Sequence, residues 1–337
     1  MRRTFLLLAV GLITVLGSAT VGARPPEFPG NDAAVEHARI VEYWTPERVR
    51  NAQPREMVVD RMPGGGVVAM KPGNGNPGGG KPGGGGGDPS AVGGATWTGG
   101  GSVKATTGKV LFTMGSSNYV CSGSVVQDTS SSTSLVLTAG HCVYDDVADA
   151  FATNWMFVPD YEDQRTFTCA ATRYGCWTAS ALVTTAAWAG GDFNHDYAFA
   201  VLPAGGNGSG QLDSVVGTQA IAFNQTHPTS VFSFGYPHAS PYDGQVLTYC
   251  SGTDVADSFG GSTDFGLKCD MTGGSSGGPW FTGFNESTGT GTLTSVNSFK
   301  YRGGKFKGYM FGPYLGSYAN KSYTAANTAD SNLLVTP

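Results

Sequence analysis

"LVLTAGHC", residues Leu135 to Cys142, is an apolar run of strand length that ends on a glycine, a histidine and a cysteine. A run this short is bounded by turn residues on both sides, which favours a buried strand over a helix. Its neighbours repeat the pattern. "KVLFTM" (109–114), "YAFAVL" (197–202), "SVFSFGY" (230–236), "QVLTYC" (245–250) and "TLTSVNSF" (292–299) are rich in Val, Thr, Phe and Tyr and are separated by Gly, Ser and Asn. Such spacing predicts an all-β sandwich or barrel, and long helical periodicity is absent. Roughly 230 residues of this alternation exceed one small β domain and suit two packed β units.

The chain before this region is of a different kind. "MRRTFLLLAVGLITVLGSATVGA" carries Arg2 and Arg3, an apolar run from Phe5 to Leu16, and small residues at Val21-Gly22-Ala23. That is the layout of an export signal, residues 1–23, and it is short for a membrane span of ~20 residues. Residues 24–62 are polar and read as a pro-segment, with Thr45, Pro46 and Glu47 placed as cap and first turn of a helix. Eighteen of the 52 glycines fall between Gly64 and Gly101, so residues 63–104 read as a flexible Gly/Pro-rich linker and 105–337 as the folded domain. Within the linker, Gly75–Pro82 imitates a phosphate-binding loop but ends on Pro82 where a metal-binding Ser or Thr is required. The net charge of −5 is small and dispersed, which gives nucleic acid nothing to bind. The cysteines, Cys121, Cys142, Cys169, Cys176, Cys250 and Cys269, are even in number with no Cys-x-x-Cys pair. In an exported chain they predict disulfides and no metal.

Three of these short segments carry chemistry. His141 closes the opening run, Asp196 begins "DYAFAVL", and Ser276 sits in "CDMTGGSSGGPW" (269–280). A serine hydroxyl is a weak nucleophile at neutral pH. It needs an imidazole to take its proton and a carboxylate to fix that imidazole's tautomer. The glycines around Ser276 allow the Gly274 and Ser276 amides to converge on a developing oxyanion. Asp192 is the rival carboxylate, Ser275 the rival nucleophile, and His195, His227 and His238 lack a comparable setting.

Together "CSGSVV" (121–126), "LVLTAGHC", "DYAFAVL" and "GGSSGGP" (273–279) resemble the chymotrypsin-like, or trypsin-fold, serine peptidases. "SFGYP" (233–237) and "LTYCSG" (247–252) lean toward the bacterial glutamyl-endopeptidase branch. The resemblance implies two antiparallel six-stranded β-barrels with the active site between them. It implies a secreted endopeptidase that is monomeric, acts on proteins or peptides, uses no cofactor and leaves the membrane once the signal is removed. It also implies a Cys121–Cys142 pair. Two departures follow: Ser275 replaces the aspartate that receives a new N-terminus in digestive members, despite a faint echo at Val92–Gly94, and Thr272 replaces a cysteine. The second-unit disulfide must then differ, with Cys250–Cys269 the expected pair and Cys169–Cys176 closing a small loop, while the sequence leaves connectivity beyond Cys121–Cys142 open. For the specificity pocket the resemblance nominates Asp270, six residues before Ser276, with Val296 and Asn297 opposite. Asp270 is expected to be mainly structural, and Lys300, Arg302, Lys305 and Lys307 lie on the following segment. The competing function is a catalytically silent secreted binding protein on the same fold.

Overall fold

The computed structural model describes residues 30–61, 67–70, 91–162 and 166–337. Residues 1–23, expected as an export signal, and most of the glycine-rich tract lie outside the described residues. What is described is dominated by short β-strands.

The first β unit is a nine-stranded sheet. Its centre runs Thr153–Pro159, Thr107–Met114, Ser117–Val126, Ser134–Thr138, Ala198–Leu202, Ala181–Thr185, with antiparallel pairing throughout. "LVLT" is fully buried, as a run without alternation should be. The second unit consists of two six-stranded sheets. One carries Ser230–Gly235, Thr248–Thr253, Pro279–Asn285 and Thr290–Val296; the other carries Phe265–Lys268, Phe299–Tyr301 and Tyr309–Gly312. The described strands divide into sheets of nine, six and six, with a two-stranded ribbon besides. Short strands add to their edges: Gln53–Pro54 and Leu333–Val335 on the first unit, Val92–Thr96, Met57–Arg61 and Val67–Met70 on the second. Backbone edges accept any strand with free amides and carbonyls, so composition gives little warning of them.

Two further findings modify the sequence picture. Residues 91–104, placed in the linker by composition, form the strand Val92–Thr96 and open the short helix Ser102–Thr106. Trp97 explains the order: its ring is buried against Phe234, Tyr249 and Phe284. Helices are also present, over Gly30–Tyr43 and Ser317–Ala326. The second buries Ala319, Ser322 and Ala326, so its helical period is written in small residues that hydrophobicity does not reveal. The expected cap of the helix Pro46–Asn51 is present, with the Arg48 amide donating to Thr45 Oγ1 at 3.3 Å.

All three disulfides are formed: Cys121–Cys142, Cys169–Cys176 and Cys250–Cys269. The first ties the turn Gly140–Cys142 to the strand Ser117–Val126 and closes a 21-residue separation, worth about 3 kcal/mol in the chain-entropy model. The two units meet through Ser122. Its hydroxyl donates to the Gly274 carbonyl and accepts from the Tyr236 amide, both at 2.9 Å, and its own amide donates to the Ser276 carbonyl at 2.7 Å.

Candidate active site

His141 sits in a single 3-10 turn directly after the strand Ser134–Thr138. Asp196 closes a second such turn, just before Ala198–Leu202, which pairs with Ser134–Thr138. The pairing brings the two residues together, and both are completely buried. Asp196 holds its partner twice: Oδ2 lies 2.7 Å from His141 Nδ1, and Oδ1 accepts the His141 amide at 2.7 Å. Ser298 Oγ also donates to Oδ2. Three groups thus converge on the buried carboxylate, and the histidine ring is held through Nδ1. Nε2 has no hydrogen-bond partner among the described residues.

On the facing side the loop through Ser276 is pinned on both flanks. The Ser275, Gly277 and Gly278 amides donate to the Thr272, Asn297 and Ser275 carbonyls. Among the described residues the Gly274 and Ser276 amides have no backbone acceptor. Those are the two nominated for an oxyanion. Gly274 has φ +100°, and a Cβ there would lie 2.8 Å from His238 Cβ and 2.9 Å from the Tyr236 carbonyl oxygen. Gly277 has φ +78° and would place a Cβ 2.1 Å from Thr138 Oγ1. The glycines therefore serve both backbone orientation and close approach to the histidine-bearing strand.

The rivals are accounted for by their contacts. Asp192 caps its own turn and pairs with His195 at 3.0 Å. His227 pairs with Asp254 and stacks on Phe265 with centroids 3.9 Å apart. His238 is held neutral, its pKa lowered to about 4 by burial and by Lys109. Ser275 donates its hydroxyl to the Thr272 carbonyl at 2.8 Å. Cys121, His141 and Cys142 cluster within 4.8 Å, but the two sulfurs are bonded to each other and offer no thiolate to a metal.

The nominated pocket residues divide. Asn297 spends its whole amide: Oδ1 accepts from Ser233 Oγ and Trp280 Nε1, and Nδ2 donates to the Phe234 and Ser275 carbonyls. It is a brace under the serine loop with no atom left for a ligand. Val296 is fully buried in a strand. Asp270 accepts from the Tyr242 hydroxyl, and its amide donates to the Gly93 carbonyl at 2.7 Å. Half-buried Lys300 feels both Asp270 and Glu56 as favourable charges, while burial pulls its pKa down.

Arg55, Glu56 and Ser298 escaped the sequence reading. Ser298 directly follows Asn297 in a run read only as strand. The other two belong to the arm. The Ser276 hydroxyl donates to the Arg55 carbonyl at 3.0 Å, and the Arg55 amide donates to Val120 O at 3.3 Å. Arg55 itself lies 3.8 Å from Asp145. Burial raises the Glu56 carboxyl above its ordinary range, opposed by Lys300 and the Gly273 amide.

Two β units joined across a buried His–Asp pair and a glycine-lined serine loop define a class, the chymotrypsin-fold serine proteases. A family profile for the trypsin-like peptidase domain matches residues 121–289, and this chain belongs to that family. Protease Anisep from Arthrobacter nicotinovorans is 43% identical over 67% of this chain and 96% of its own, with TM-score 0.58. The thermostable serine protease AL20, from an extremophilic microorganism, is 42% identical over 68% of this chain and 99% of its own, with TM-score 0.59. A Glu endopeptidase solved with MPD is 16% identical over 70% and 97%, with TM-score 0.51, and shares the fold alone. Curated proteins give no match.

Proposed function

We propose that this chain is the precursor of a secreted serine endopeptidase, with Ser276 as nucleophile, His141 as general base and then acid, and Asp196 as its orienting carboxylate. The observation that carries the reading is the doubly tethered His141–Asp196 pair facing a serine loop with two unclaimed amides. In this reading Ser276 Oγ attacks a peptide carbonyl as its proton passes to His141 Nε2. The oxyanion is received by the Gly274 and Ser276 amides, and His141 returns the proton to the leaving amine. Water then repeats the cycle on the acyl-enzyme. Protein or peptide substrates follow from the family.

Secretion is supported by three disulfides and by the leader composition; no helix among the described residues is long and apolar enough to cross a membrane. Maturation is proposed to cut between residues 63 and 91, because Val92–Thr96 is already a strand of the second unit. The serine proteases Anisep and AL20 are matched over 96% and 99% of their own length but only 67% and 68% of this chain, which agrees with a precursor longer than its active enzyme. The mature protein is proposed to act as a monomer. Casein hydrolysis by the secreted protein and by Ser276→Ala is the test. A fall of about six orders of magnitude in kcat is expected from comparable serine knockouts, and near-normal turnover would sink the assignment.

A further inference from the structure

We propose that residues 53–61 form a built-in inhibitor of this peptidase, a strand that fills the cleft on both sides of Ser276 and draws its hydroxyl away from His141. The proposal rests on the reading of Ser276 as nucleophile. The arm enters along the first unit, where Gln53 and Pro54 pair in parallel with Tyr119 and Val120. It leaves along the second, where Met57, Val58 and Val59 pair in parallel with Phe299, Lys300 and Tyr301. Between these two ladders, Arg55 and Glu56 cross directly over the serine loop. A peptide that binds by adding a strand to either edge meets an edge already taken.

The contact at Ser276 is also one that does not react. A hydroxyl has a single hydrogen, and here it is donated to the Arg55 carbonyl oxygen at 3.0 Å. It is therefore not shared with His141, whose Nε2 has no partner among the described residues. The Arg55 carbonyl oxygen rests on the hydroxyl, and neither the Gly274 nor the Ser276 amide has a backbone acceptor among the described residues. A productive substrate needs the reverse: its carbonyl oxygen on those amides and its carbon facing Oγ. The arm thus occupies the site without offering its own peptide bond to attack.

The arm is packed for this role along its length. Trp44, Val49, Met57 and Val59 are buried in the main core, and Trp44 Nε1 donates to the Asn154 carbonyl at 2.7 Å. Gly273 is bare where the arm passes. A Cβ there would lie 2.6 Å from Glu56 Cβ and 3.0 Å from Pro54 Cβ, and its three nearest atoms all belong to the arm. Release of the arm, not formation of a new N-terminal ion pair, is then what activates the enzyme. Ser275 at the position before the nucleophile agrees with that.

The test measures how fast a fluorophosphonate labels Ser276 in the full chain and in full-chain Met57→Asp/Val59→Asp, with Ser276→Ala as blank. Labelling follows the fraction of molecules with an open site, so the charged variant is expected to label about ten-fold faster or more. Adding a synthetic peptide of residues 44–61 is expected to slow it again. Gly273→Ala, whose added Cβ meets Glu56 and Pro54 first, gives the same acceleration and keeps the test open if the double variant does not fold. Equal rates in parent and variants overturn the proposal, as does indifference to the peptide. If no chain labels, the nucleophile assignment fails, and the arm is judged without chemistry. In the Ser276→Ala background a fluorescein-labelled casein digest is expected to raise its anisotropy with the arm variants and not with the parent. Binding to both, or to neither, overturns the inhibitor.

Discussion

Replacing Asp196 by asparagine tests the candidate site at one atom. The orientation of the new amide is dictated by the fold. Asp196 Oδ1 accepts the His141 backbone amide at 2.7 Å, so the asparagine must keep its oxygen there. Its NH2 then takes the place of Oδ2, opposite His141 Nδ1 at 2.7 Å and the Ser298 hydroxyl. Facing a donor, Nδ1 must become the acceptor, and the ring proton moves to Nε2. An imidazole protonated on Nε2 cannot take the proton of Ser276. The wrong tautomer costs about 10⁴ in kcat in enzymes of this constellation, equivalent to about 5.4 kcal/mol of barrier. Stability should change little by comparison, since the Ser298 hydroxyl can turn to accept. The assay is hydrolysis of a soluble ester by the purified secreted protein, with thermal unfolding recorded alongside. Asp192→Asn and Asp254→Asn, which disturb the other two His–Asp pairs, serve as controls and should leave kcat unchanged. An Asp196→Asn enzyme retaining more than about a tenth of parental kcat would refute the reasoning.

Gly277→Ala is expected to destabilise by about 1–3 kcal/mol or more, since it adds a strained φ to a Cβ lying 2.1 Å from Thr138 Oγ1; urea unfolding measures it, and an unchanged midpoint counts against the assigned loop geometry. Lys109 is fully buried over the Tyr161 ring at 3.7 Å, and burial lowers its pKa from 10.5 to about 7 against the pull of Asp243. Between those values the unfolded chain holds the extra proton, so this site's contribution to stability rises with pH from 7 to 10.5 and its penalty is full below 7. Lys109→Met should therefore gain stability over the parent at pH 7, on the order of a few kcal/mol at about 1.4 per pH unit, and lose that advantage toward pH 10; a gap that does not vary with pH contradicts the assignment. Removing Cys121–Cys142 by paired serines should cost about 3 kcal/mol, and removing Cys169–Cys176, whose separation is only 7, somewhat less. The order of the two losses is the check, read from denaturant midpoints.

The sequence by itself was enough for the all-β class, because runs such as "LVLTA" and "YAFAVL" state their burial within a few residues. It was enough for the family and to nominate His141, Asp196 and Ser276, because each sits in a local setting that the chemistry demands. The Cys121–Cys142 pair followed from that resemblance, and the structure fixed the other two. Tertiary structure alone decided that Asp196 meets His141 while Asp192 turns back on His195, since only chain crossing joins residues 55 positions apart. It also decided that Asn297 is a brace, because its four bonds reach positions up to 64 residues away. The arm was the least legible part. Its polar composition marked residues 24–62 as separate, while its seat in the cleft depends on parallel pairing of backbone amides and carbonyls, groups that every residue carries and no local pattern of side chains announces.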